Sequence, residues 1–323
     1  MILILSNEYD YSTIDVTHWL KHYNIPFVRL NGEEVYSLEK VTLENNEVDF
    51  VIYNDEKIIK LSEIKSVWYR RGQLNFTYNL RPQEFGDFGR VIEMHLKAEL
   101  EITTDLFYFL LKEKPHIGTF ERRGMNKLIV LYEAQKVGLK IPETQITATE
   151  KYTDFENLKP YITKSISETF RPRFDFGNYI IYTENIDNTQ LQKNFFPTLF
   201  QEKYEKEADL RIFYLDGKFH RMAIISQSHQ QTATDFRKYL TEKPNRSLPF
   251  QLPKHIEEKL KLLMDKVELE TGSIDMILTR NSEYVFLEVN PIGQFGMTSY
   301  PCNYFLERQI AKTLIEKSYE NTR

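Results

Sequence analysis

The stretch of residues 273–291 constrains the fold of this chain more than any other. It reads SIDMILTRNSEYVFLEVNP, two apolar runs separated by Asn281 and Ser282. Two such runs with a two-residue connection are typical of a β-hairpin. With a turn at those two residues, Ile277 lies opposite Phe286, and apolar residues occupy both faces of the ribbon. We therefore expect a hairpin that is buried on both sides.

Three polar residues interrupt this apolar hairpin. The predicted register sets Asp275 opposite Glu288, and Asn290 lies on the same face because strand side chains alternate. Two carboxylates about 5 Å apart, at an effective dielectric near 20, repel each other by on the order of 3 kcal/mol. A divalent cation reverses the sign of this interaction, and Mg²⁺ takes Asp, Glu and Asn oxygens together with phosphate and water. The pattern favours a Mg²⁺-nucleotide site at these three residues.

Two alternatives account for the carboxylate pair without a metal. In the first, one carboxylate lies at a sheet edge in contact with water. In the second, the two carboxyl groups share one proton. An error of one residue in the turn would also separate Asp275 from Glu288.

The rest of the chain alternates helix and strand patterns and then changes to short strands. Residues 1–30 read as strand, amphipathic helix and strand, a βαβ unit that implies a parallel sheet. Helical patterns cover about residues 88–111 and 125–137, and short strands dominate from about 160 to 230. The predicted fold class is α/β with α+β elements. We divide the chain into an N-terminal domain, a central subdomain and a C-terminal subdomain with the hairpin, over residues 1–115, 116–200 and 201–323.

Composition excludes several functional classes. The 323 residues include 42 Lys and Arg against 47 Asp and Glu, a net charge of −5, so nucleic acid is not an expected partner. No apolar run reaches about 18 residues, and the N-terminus lacks the basic region of a signal peptide, so no membrane partner is expected. The single cysteine, Cys302, excludes an internal disulfide and is typical of a reducing compartment, in the simplest case the cytoplasm.

The chain contains neither of the common glycine-rich phosphate-binding motifs, GxxxxGK[ST] and GxGxxG. Other residues must therefore bind the phosphates of a nucleotide. Lys127 lies at the start of the second helix, and Lys164 lies within the apolar strand YITKSI. A lysine inside an apolar strand favours an anionic ligand. The alternatives are a solvated Lys127 and an outward-facing Lys164 on a half-exposed sheet.

The order of these features resembles the ATP-grasp superfamily. The strings SVWYRRG, KVGLKIPET, DLRIFYLDGKFHRMAIISQ, TDFRKY, KPNRSLPFQLP, TGSIDMI and FLEVNPIGQFGM are similar to the ATP-grasp peptide maturases of grasp-with-spasm systems. These maturases are relatives of the microviridin ligases that make graspetides. The resemblance runs from about Ser66 to the C-terminus, and it implies an ATP-grasp fold with an N-terminal βαβ pre-ATP-grasp domain.

The resemblance also implies roles for individual residues. Asp275, Glu288 and Asn290 match the positions that hold Mg²⁺, in agreement with the hairpin register. The other matched residues are Lys127 and Lys164 at the ATP phosphates, Gln201, Glu202, Lys203 and Tyr204 in the hinge segment around adenine, Asp209 on the ribose hydroxyls, and Arg211 and Arg237 at the phosphates and the developing acyl phosphate. A surface carboxylate at Asp209 and ion pairs at the two arginines are the alternatives.

The activity implied by the resemblance is an ATP-dependent ligase reaction with ATP and Mg²⁺ as cofactors. A side-chain carboxylate of a bound precursor peptide would attack the γ-phosphate, giving an acyl phosphate and ADP. A hydroxyl or amine of the same peptide would then displace phosphate. The products are ω-ester links to Ser or Thr, or ω-amide links to Lys, which close rings in the peptide. The partners implied are a precursor peptide with a leader segment and, by resemblance alone, a second copy in a homodimer.

Two other functions stay open at this point. The first is a ligase that attaches a free amino acid to a protein or peptide. The second is an ATP-binding module that has lost turnover.

The site of leader recognition is suggested by residues 68–81, which mix aromatics with Arg70, Arg71 and Arg81. Such a stretch suits an acidic, extended peptide. The alternative places Trp68 in the core and the arginines in ion pairs.

Overall fold

The computed structural model describes residues 1–45, 47–54, 57–77, 82–118, 125–152, 160–167, 173–174, 177–178, 183–186, 192–225 and 245–320. The chain forms two compact units. The first unit contains Met1–Arg123, Gln294–Gly296 and Phe305–Arg323, and the second contains Gly124–Gly293 and Met297–Tyr304. Two C-terminal segments therefore belong to the first unit, and the three-part division of the chain stays a prediction.

The described residues include six α-helices and nineteen strands. The helices are α1 (Tyr11–His22), α2 (Gly86–Lys112), α3 (Lys127–Lys136), α4 (Lys254–Lys266), α5 (Gly296–Cys302) and α6 (Leu306–Glu320), with short 3-10 helices at Leu61–Glu63, Pro82–Phe85 and Glu150–Tyr152. The strands of the first unit are β1 (Ile2–Ser6), β2 (Phe27–Asn31), β3 (Val35–Glu44), β4 (Glu47–Asn54), β5 (Lys57–Lys60), β6 (Ser66–Tyr69), β7 (Asn75–Thr77) and β8 (His116–Ile117). Those of the second unit are β9 (Thr144–Thr149), β10 (Tyr161–Thr163), β11 (Arg173–Phe174), β12 (Gly177–Asn178), β13 (Glu184–Asn185), β14 (Asn194–Glu202), β15 (Lys206–Leu215), β16 (Lys218–Ile225), β17 (Arg246–Pro249), β18 (Thr271–Thr279) and β19 (Tyr284–Asn290). In the part of the chain that the structure describes, no helix has both the length and the apolar composition needed to cross a membrane.

The first unit contains the βαβ motif that the sequence predicts. β1 pairs in parallel with β2 on one side and with β6 on the other, in a sheet of order β2-β1-β6-β8. All five residues of β1 are buried, as expected for a parallel strand between two neighbours. Asp10 caps α1, because its Oδ1 accepts a hydrogen bond of 3.1 Å from the backbone N–H of Thr13. A second sheet of order β5-β4-β3-β7 completes the unit's strands.

Helix α6 packs against α1 and β6 of this first unit. The hydroxyl of Ser66 in β6 donates a hydrogen bond of 3.0 Å to the carbonyl of Leu314. The guanidinium of Arg308 donates to the hydroxyl of Tyr23 at 2.9 Å and lies 5.3 Å from the ring centroid of Trp19. The apolar side chains that α6 buries are Leu306, Ile310, Ala311 and Leu314. The C-terminal helix is therefore an integral part of the N-terminal unit.

The second unit is built on a five-stranded antiparallel sheet of order β17-β16-β15-β18-β19. One face of this sheet packs against α3 and α4 in a single apolar core. Helix α4 buries Ile256, Leu260 and Leu263, whose spacing of four and three residues is typical of an amphipathic helix. β15 and β16 form a hairpin in which Asp216 and Gly217 both have positive φ, as a type I′ turn requires. A sheet of order β13-β10-β14-β9 and the pair β11-β12 lie in the same unit.

The hairpin of β18 and β19 differs from its predicted register at one end and agrees at the other. The predicted pair of Ile277 with Phe286 is wrong, because Ile277 lies opposite Val285 and Phe286 lies opposite Met276. The physical reason is the connection, which contains three residues and not two. Ser282 ends it with a φ of 61°, the left-handed conformation typical of a three-residue hairpin loop.

A β-bulge then restores the predicted pairing. The register shifts by one residue between Asp275 and Met276, so that Leu287 is the extra residue of β19. Beyond the bulge Asp275 lies opposite Glu288, and this predicted pair is confirmed. The bulge also places Phe286 on the core face of the sheet. With a two-residue turn and no bulge, Phe286 would lie on the other face, beside the carboxylates.

Candidate active site

The face of the five-stranded sheet opposite the helices carries a row of charged side chains. Arg211 of β15 is paired with Asp275 of β18, which in turn is paired with Glu288 of β19. Directly paired residues of neighbouring strands have Cβ atoms about 5 Å apart and project from the same face. The register alone therefore brings two carboxylates and a guanidinium together.

Arg211 compensates the charge of Asp275. Its Nη1 lies 2.6 Å from both carboxylate oxygens of Asp275, a contact that holds the guanidinium against the centre of the carboxylate. Burial raises the pKa of the Asp275 carboxyl, and repulsion from Glu288 adds to this effect, whereas Arg211 opposes it. In this structure Arg211 is in the ion pair that the sequence allowed as its alternative, and its role at phosphate stays a prediction.

Lys127 compensates the charge of Glu288. It is the first residue of α3, where Asn126 caps the helix by accepting the backbone N–H of Leu128 at 3.0 Å. Its Nζ lies 3.1 Å from Oε2 of Glu288, and both side chains are about a quarter exposed. The alternative of a solvated Lys127 is therefore wrong for this structure. The four residues form a row in which two cations enclose two carboxylates.

Asn290 lies at the exposed end of the same hairpin face. Its Oδ1 accepts hydrogen bonds of 3.2 Å from the backbone N–H groups of Ile292 and Gly293, so the chain turns sharply after β19. The turn brings Gly293 against Ser273, where any side chain at Gly293 would collide with the serine. The sequence analysis missed Ser273, a buried residue of β18 that lies opposite Asn290.

Asp275, Glu288 and Asn290 fit a Mg²⁺ ion by the chemistry of their donor atoms. All three offer hard oxygen ligands, and Mg²⁺ is commonly bound by one or two carboxylates together with water and phosphate. Among the residues that the structure describes, no three His, Cys, Asp or Glu side chains lie close enough to share a metal ion. Two carboxylates and one amide oxygen leave part of the shell of a Mg²⁺ ion for phosphate oxygens and water.

The predicted hinge residues follow one another at the end of β14. Gln201 is fully buried, and its Nε2 donates to the Thr144 hydroxyl at 3.0 Å. The backbone N–H groups of Glu202 and Lys203 donate to carbonyls of neighbouring chain segments at 2.9 and 2.8 Å. Burial, together with a hydrogen bond to Glu202, raises the pKa of Tyr204. The segment is thereby fixed between two strands.

A cleft of about 490 Å³ opens beside this segment. Its lining residues are Lys140, Glu202, Lys203, Tyr204, Glu205, Thr279, Arg280, Asn281 and Glu283. Lys140, which the sequence analysis missed, connects its two sides. The Lys140 ammonium lies 2.7 Å from Glu283 and 5.3 Å from the ring centroid of Tyr204.

Asp209 is buried and paired. Its Oδ1 lies 2.7 Å from Nζ of Lys206, and the side chains are 10% and 6% exposed. The alternative of a surface carboxylate is therefore wrong, because burial requires the partner that Lys206 supplies. In the sequence, the only sign of this pair is the spacing of three residues between Lys206 and Asp209. In a regular strand, residues three apart lie on opposite faces. The irregularity between Lys206 and Ala208 brings the two side chains to the same face. The contact of Asp209 with ribose stays a prediction.

The two remaining predicted site residues are Lys164 and Arg237. Lys164 is half-buried and follows β10, which ends at Thr163, so it does not lie in mid-strand as the sequence predicted. Arg237 lies outside the described residues. Its role and that of Lys164 stay predictions.

The first residues of the stretch 68–81, which was suggested for leader recognition, have structural roles. Trp68 is buried. Arg70 and Arg71 lie 3.3 and 2.9 Å from the carboxylate of Asp10, which confirms the alternative of core packing and ion pairs for these residues. Arg81 lies outside the described residues.

Comparisons with known proteins indicate what the chain is similar to in sequence and fold. The family model of the MvdD pre-ATP grasp domain matches residues 1–121. The chain is similar to the Chryseobacterium gregarium RiPP-associated ATP-grasp ligase in complex with ADP and a leader and core peptide, at 26% identity and a TM-score of 0.79 over 100% of this chain and 97% of that one. It is also similar to macrocyclase MdnC bound with precursor peptide MdnA from Microcystis aeruginosa MRC, at 24% identity and a TM-score of 0.72 over 98% and 99%. No curated protein matches the chain.

A third solved structure has a more distant sequence. ATP-grasp ligase PsnB, complexed with a phosphomimetic variant of a minimal precursor, Mg and ADP, shares 12% identity at a TM-score of 0.67 and 98% coverage of both chains. The predicted fold class is confirmed: the chain has the ATP-grasp fold with an N-terminal pre-ATP-grasp domain. The predicted resemblance to peptide-modifying ATP-grasp ligases is confirmed as well.

Proposed function

We propose that this protein is an ATP-dependent ligase that activates Asp or Glu side chains of a ribosomal precursor peptide and links them to other side chains of the same peptide. The row of Arg211, Asp275, Glu288 and Lys127 carries the proposal. Two neighbouring carboxylates repel each other, and a bound divalent cation would reverse the sign of this interaction. The similar structures that hold ADP and peptides support this reaction class and its substrate.

The row suits the binding of ATP with Mg²⁺. Asp275, Glu288 and Asn290 would hold a Mg²⁺ ion, which would supply charge stabilisation for phosphoryl transfer. Arg211 and Lys127 lie beside the same carboxylates and are long enough to turn towards phosphate oxygens. We assign Lys164 and Arg237 to the phosphates, Gln201, Glu202, Lys203 and Tyr204 to adenine, and Asp209 to ribose.

The proposed reaction has two steps. A carboxylate oxygen of the peptide attacks the γ-phosphorus of ATP, the bond to the β-phosphate oxygen breaks, and ADP leaves. A hydroxyl of Ser or Thr, or the amine of Lys, then attacks the acyl carbon, loses its proton and displaces inorganic phosphate. Each link therefore removes one water from the peptide and consumes one ATP. The arginine at position 211 is the described residue best suited to hold the acyl phosphate, because a guanidinium stays charged and grips paired oxygens.

The partners and compartment follow from the same proposal. The substrate is a precursor peptide with a leader segment, and the protein acts in the cytoplasm, where ATP is available and Cys302 stays reduced. A homodimer is the proposed assembly.

Intact mass spectrometry tests the proposal. A precursor peptide rich in Ser, Thr, Asp and Glu, encoded beside the gene, is incubated with the protein, ATP and Mg²⁺. We expect the peptide to lose one water per link, and to lose none without ATP or with Glu288→Gln. Glu258→Gln is the matched control, since it removes an exposed carboxylate of α4 that lies away from the row and the cleft, and it keeps the mass loss.

Other outcomes would contradict this function in distinct ways. A peptide that gains the mass of a free amino acid points to the amino-acid ligase. Bound ATP without ADP release points to a module that has lost turnover. Water loss that persists in Glu288→Gln would refute the assignment of the row as the metal and nucleotide site.

A further inference from the structure

The side chain of Ser273 carries a buried hydroxyl group that the fold itself does not use. Ser273 is fully buried in β18, and its Oγ has no hydrogen-bond partner among the residues that the structure describes. A buried polar group without a partner lowers the stability of a fold, and native structures contain few such groups. The presence of a hydroxyl at this position therefore points to a role other than the packing of the sheet.

This hydroxyl group lies beside the residues to which we assign the metal. Ser273 precedes Asp275 by two residues on the same strand, so both side chains project from the same face of the sheet. Across the strand pair Ser273 lies directly opposite Asn290, at a position where Cβ atoms are about 5 Å apart. The hydroxyl is thus within reach of the side chain of Asn290.

The side-chain amide of Asn290 uses its oxygen in the structure, whereas its nitrogen is available. Oδ1 accepts hydrogen bonds of 3.2 Å from the backbone N–H groups of Ile292 and Gly293. Nδ2 donates no hydrogen bond to any residue in the described part of the chain. An amide nitrogen is a donor and a hydroxyl oxygen is an acceptor. Ser273 and Asn290 therefore carry complementary unused groups at directly paired positions.

The turn after β19 encloses the Ser273 hydroxyl. The backbone N–H of Gly293 also donates to the carbonyl of Asn290 at 3.1 Å, which closes the turn. Gly293 lies so close to Ser273 that a Cβ at position 293 would overlap with the serine side chain. The hydroxyl is consequently shielded from solvent between its own strand and the turn that Asn290 begins.

We propose that Ser273 is a positioning residue for the metal: its Oγ accepts a hydrogen bond from Nδ2 of Asn290 while Oδ1 of Asn290 faces Mg²⁺. This inference rests on the proposed function, which assigns Asn290 to the ion. The hydrogen bond fixes the plane of the amide, so that the oxygen and not the nitrogen is presented to the cation. Groups that orient a metal ligand commonly contribute about 10- to 100-fold to metal affinity or activity.

The exposure of Asn290 explains why its amide needs this support. The side chain is exposed, and both hydrogen bonds that its Oδ1 accepts are at the long end of the usual range. Mg²⁺ requires nearly ideal octahedral geometry at about 2.0–2.1 Å, so a small rotation of the amide weakens its contact with the ion. A hydrogen bond from Nδ2 to the buried and rigid Ser273 restricts that rotation.

The affinity for ADP with and without Mg²⁺ tests this role. Isothermal titration calorimetry measures the Kd of ADP for the full chain in excess Mg²⁺ and again in EDTA. We expect Ser273→Ala to weaken ADP binding about tenfold in Mg²⁺ and to leave it unchanged in EDTA, because Ser273 acts only on a ligand of the ion. Thr271→Val is the matched control: it removes a hydroxyl from the same face of β18, two residues further from Asp275, and should change neither Kd.

Two further measurements separate a positioning role from a structural one. The unfolding temperature of Ser273→Ala without ligands should not fall below that of the wild type, because the variant loses no hydrogen bond to the described residues. In the Asn290→Ala background, Ser273→Ala should have no further effect on ADP binding in Mg²⁺, because the amide through which Ser273 acts is absent.

The inference is overturned if the wild type and Ser273→Ala bind ADP equally well in Mg²⁺. An equal loss of affinity in Mg²⁺ and in EDTA, or a full additional loss in the Asn290→Ala background, would overturn it as well. These three results leave the proposed function standing, provided that the wild type binds ADP more tightly in Mg²⁺ than in EDTA. A wild type whose ADP affinity does not depend on Mg²⁺ would instead refute the metal site, and with it both proposals.

Discussion

Replacement of Glu288 by Gln should stabilise the nucleotide-free protein while it removes turnover. The Asp275 and Glu288 side chains occupy directly paired positions, and at about 5 Å and a dielectric near 20 they repel by about 3 kcal/mol. The ion pair with Lys127 is partly exposed and offsets at most about 1 kcal/mol of this, and the attraction of Arg211, which lies against Asp275, offsets about 1 kcal/mol more. Gln keeps the shape and loses the charge, so the free energy of unfolding should rise by about 1 kcal/mol.

Differential scanning calorimetry without metal and nucleotide measures this change. For a unit of 150–250 residues each kcal/mol shifts the unfolding temperature by about 2–4 °C, so the transition of the second unit should rise by roughly 2–4 °C. Glu283→Gln is the control: it loses an exposed ion pair with Lys140 and no carboxylate lies opposite, so its unfolding temperature should stay the same or fall slightly. A lower unfolding temperature for Glu288→Gln, or an equal rise in the control, would refute the reasoning.

Three further predictions concern buried groups of the second unit. Burial, with Arg221 and Lys218 nearby, lowers the pKa of His220 to about 4, below its unfolded value near 6.5. The unfolded state therefore binds more protons between these values, so stability is lost as pH falls from 6.5 to 4, and His220→Gln should reduce that loss by about 2 kcal/mol in urea titrations. Lys206→Met removes the ammonium that pairs with Asp209 and should lower the free energy of unfolding by about 3 kcal/mol in chemical denaturation. The double variant Lys206→Met with Asp209→Asn should recover most of this loss, and simple additivity of the two substitutions would contradict the prediction. Burial raises the pKa of Cys302, so a thiol reagent should react only as the protein unfolds, and fast labelling of the native protein would argue against the packing.

Local patterns predicted the elements that depend on neighbouring residues. The βαβ unit, the long helix and both hairpins follow from periodicity and turn residues, because each pattern is contained in one stretch of chain. The pairing of Asp275 with Glu288 was predicted correctly although the turn was wrong. The three-residue loop and the bulge at Leu287 shift the register in opposite senses, and their effects cancel at the carboxylates.

Contacts between distant stretches could not be predicted in this way. The pairs of Lys127 with Glu288 and of Lys140 with Glu283 join residues far apart in sequence, and no spacing rule relates them. The burial of Asp209 depends on an irregularity at the start of β15 that leaves no mark in the apolar pattern. Sequence reasoning thus identified the charged residues of the site but not which carboxylate each cation contacts.

Because α6 belongs to the first unit, this unit is completed only after the second unit has been synthesised. The second unit draws most of its residues from one continuous stretch, Gly124–Gly293, which leaves the ribosome before α6 does. The N-terminal unit is made first, yet α1 and β6 lack their covering helix until residues 306–320 have emerged. A nascent chain stopped at residue 304 would therefore carry an incomplete N-terminal unit beside a second unit that has all its residues, and proteolysis of such a chain should begin at the N-terminal end.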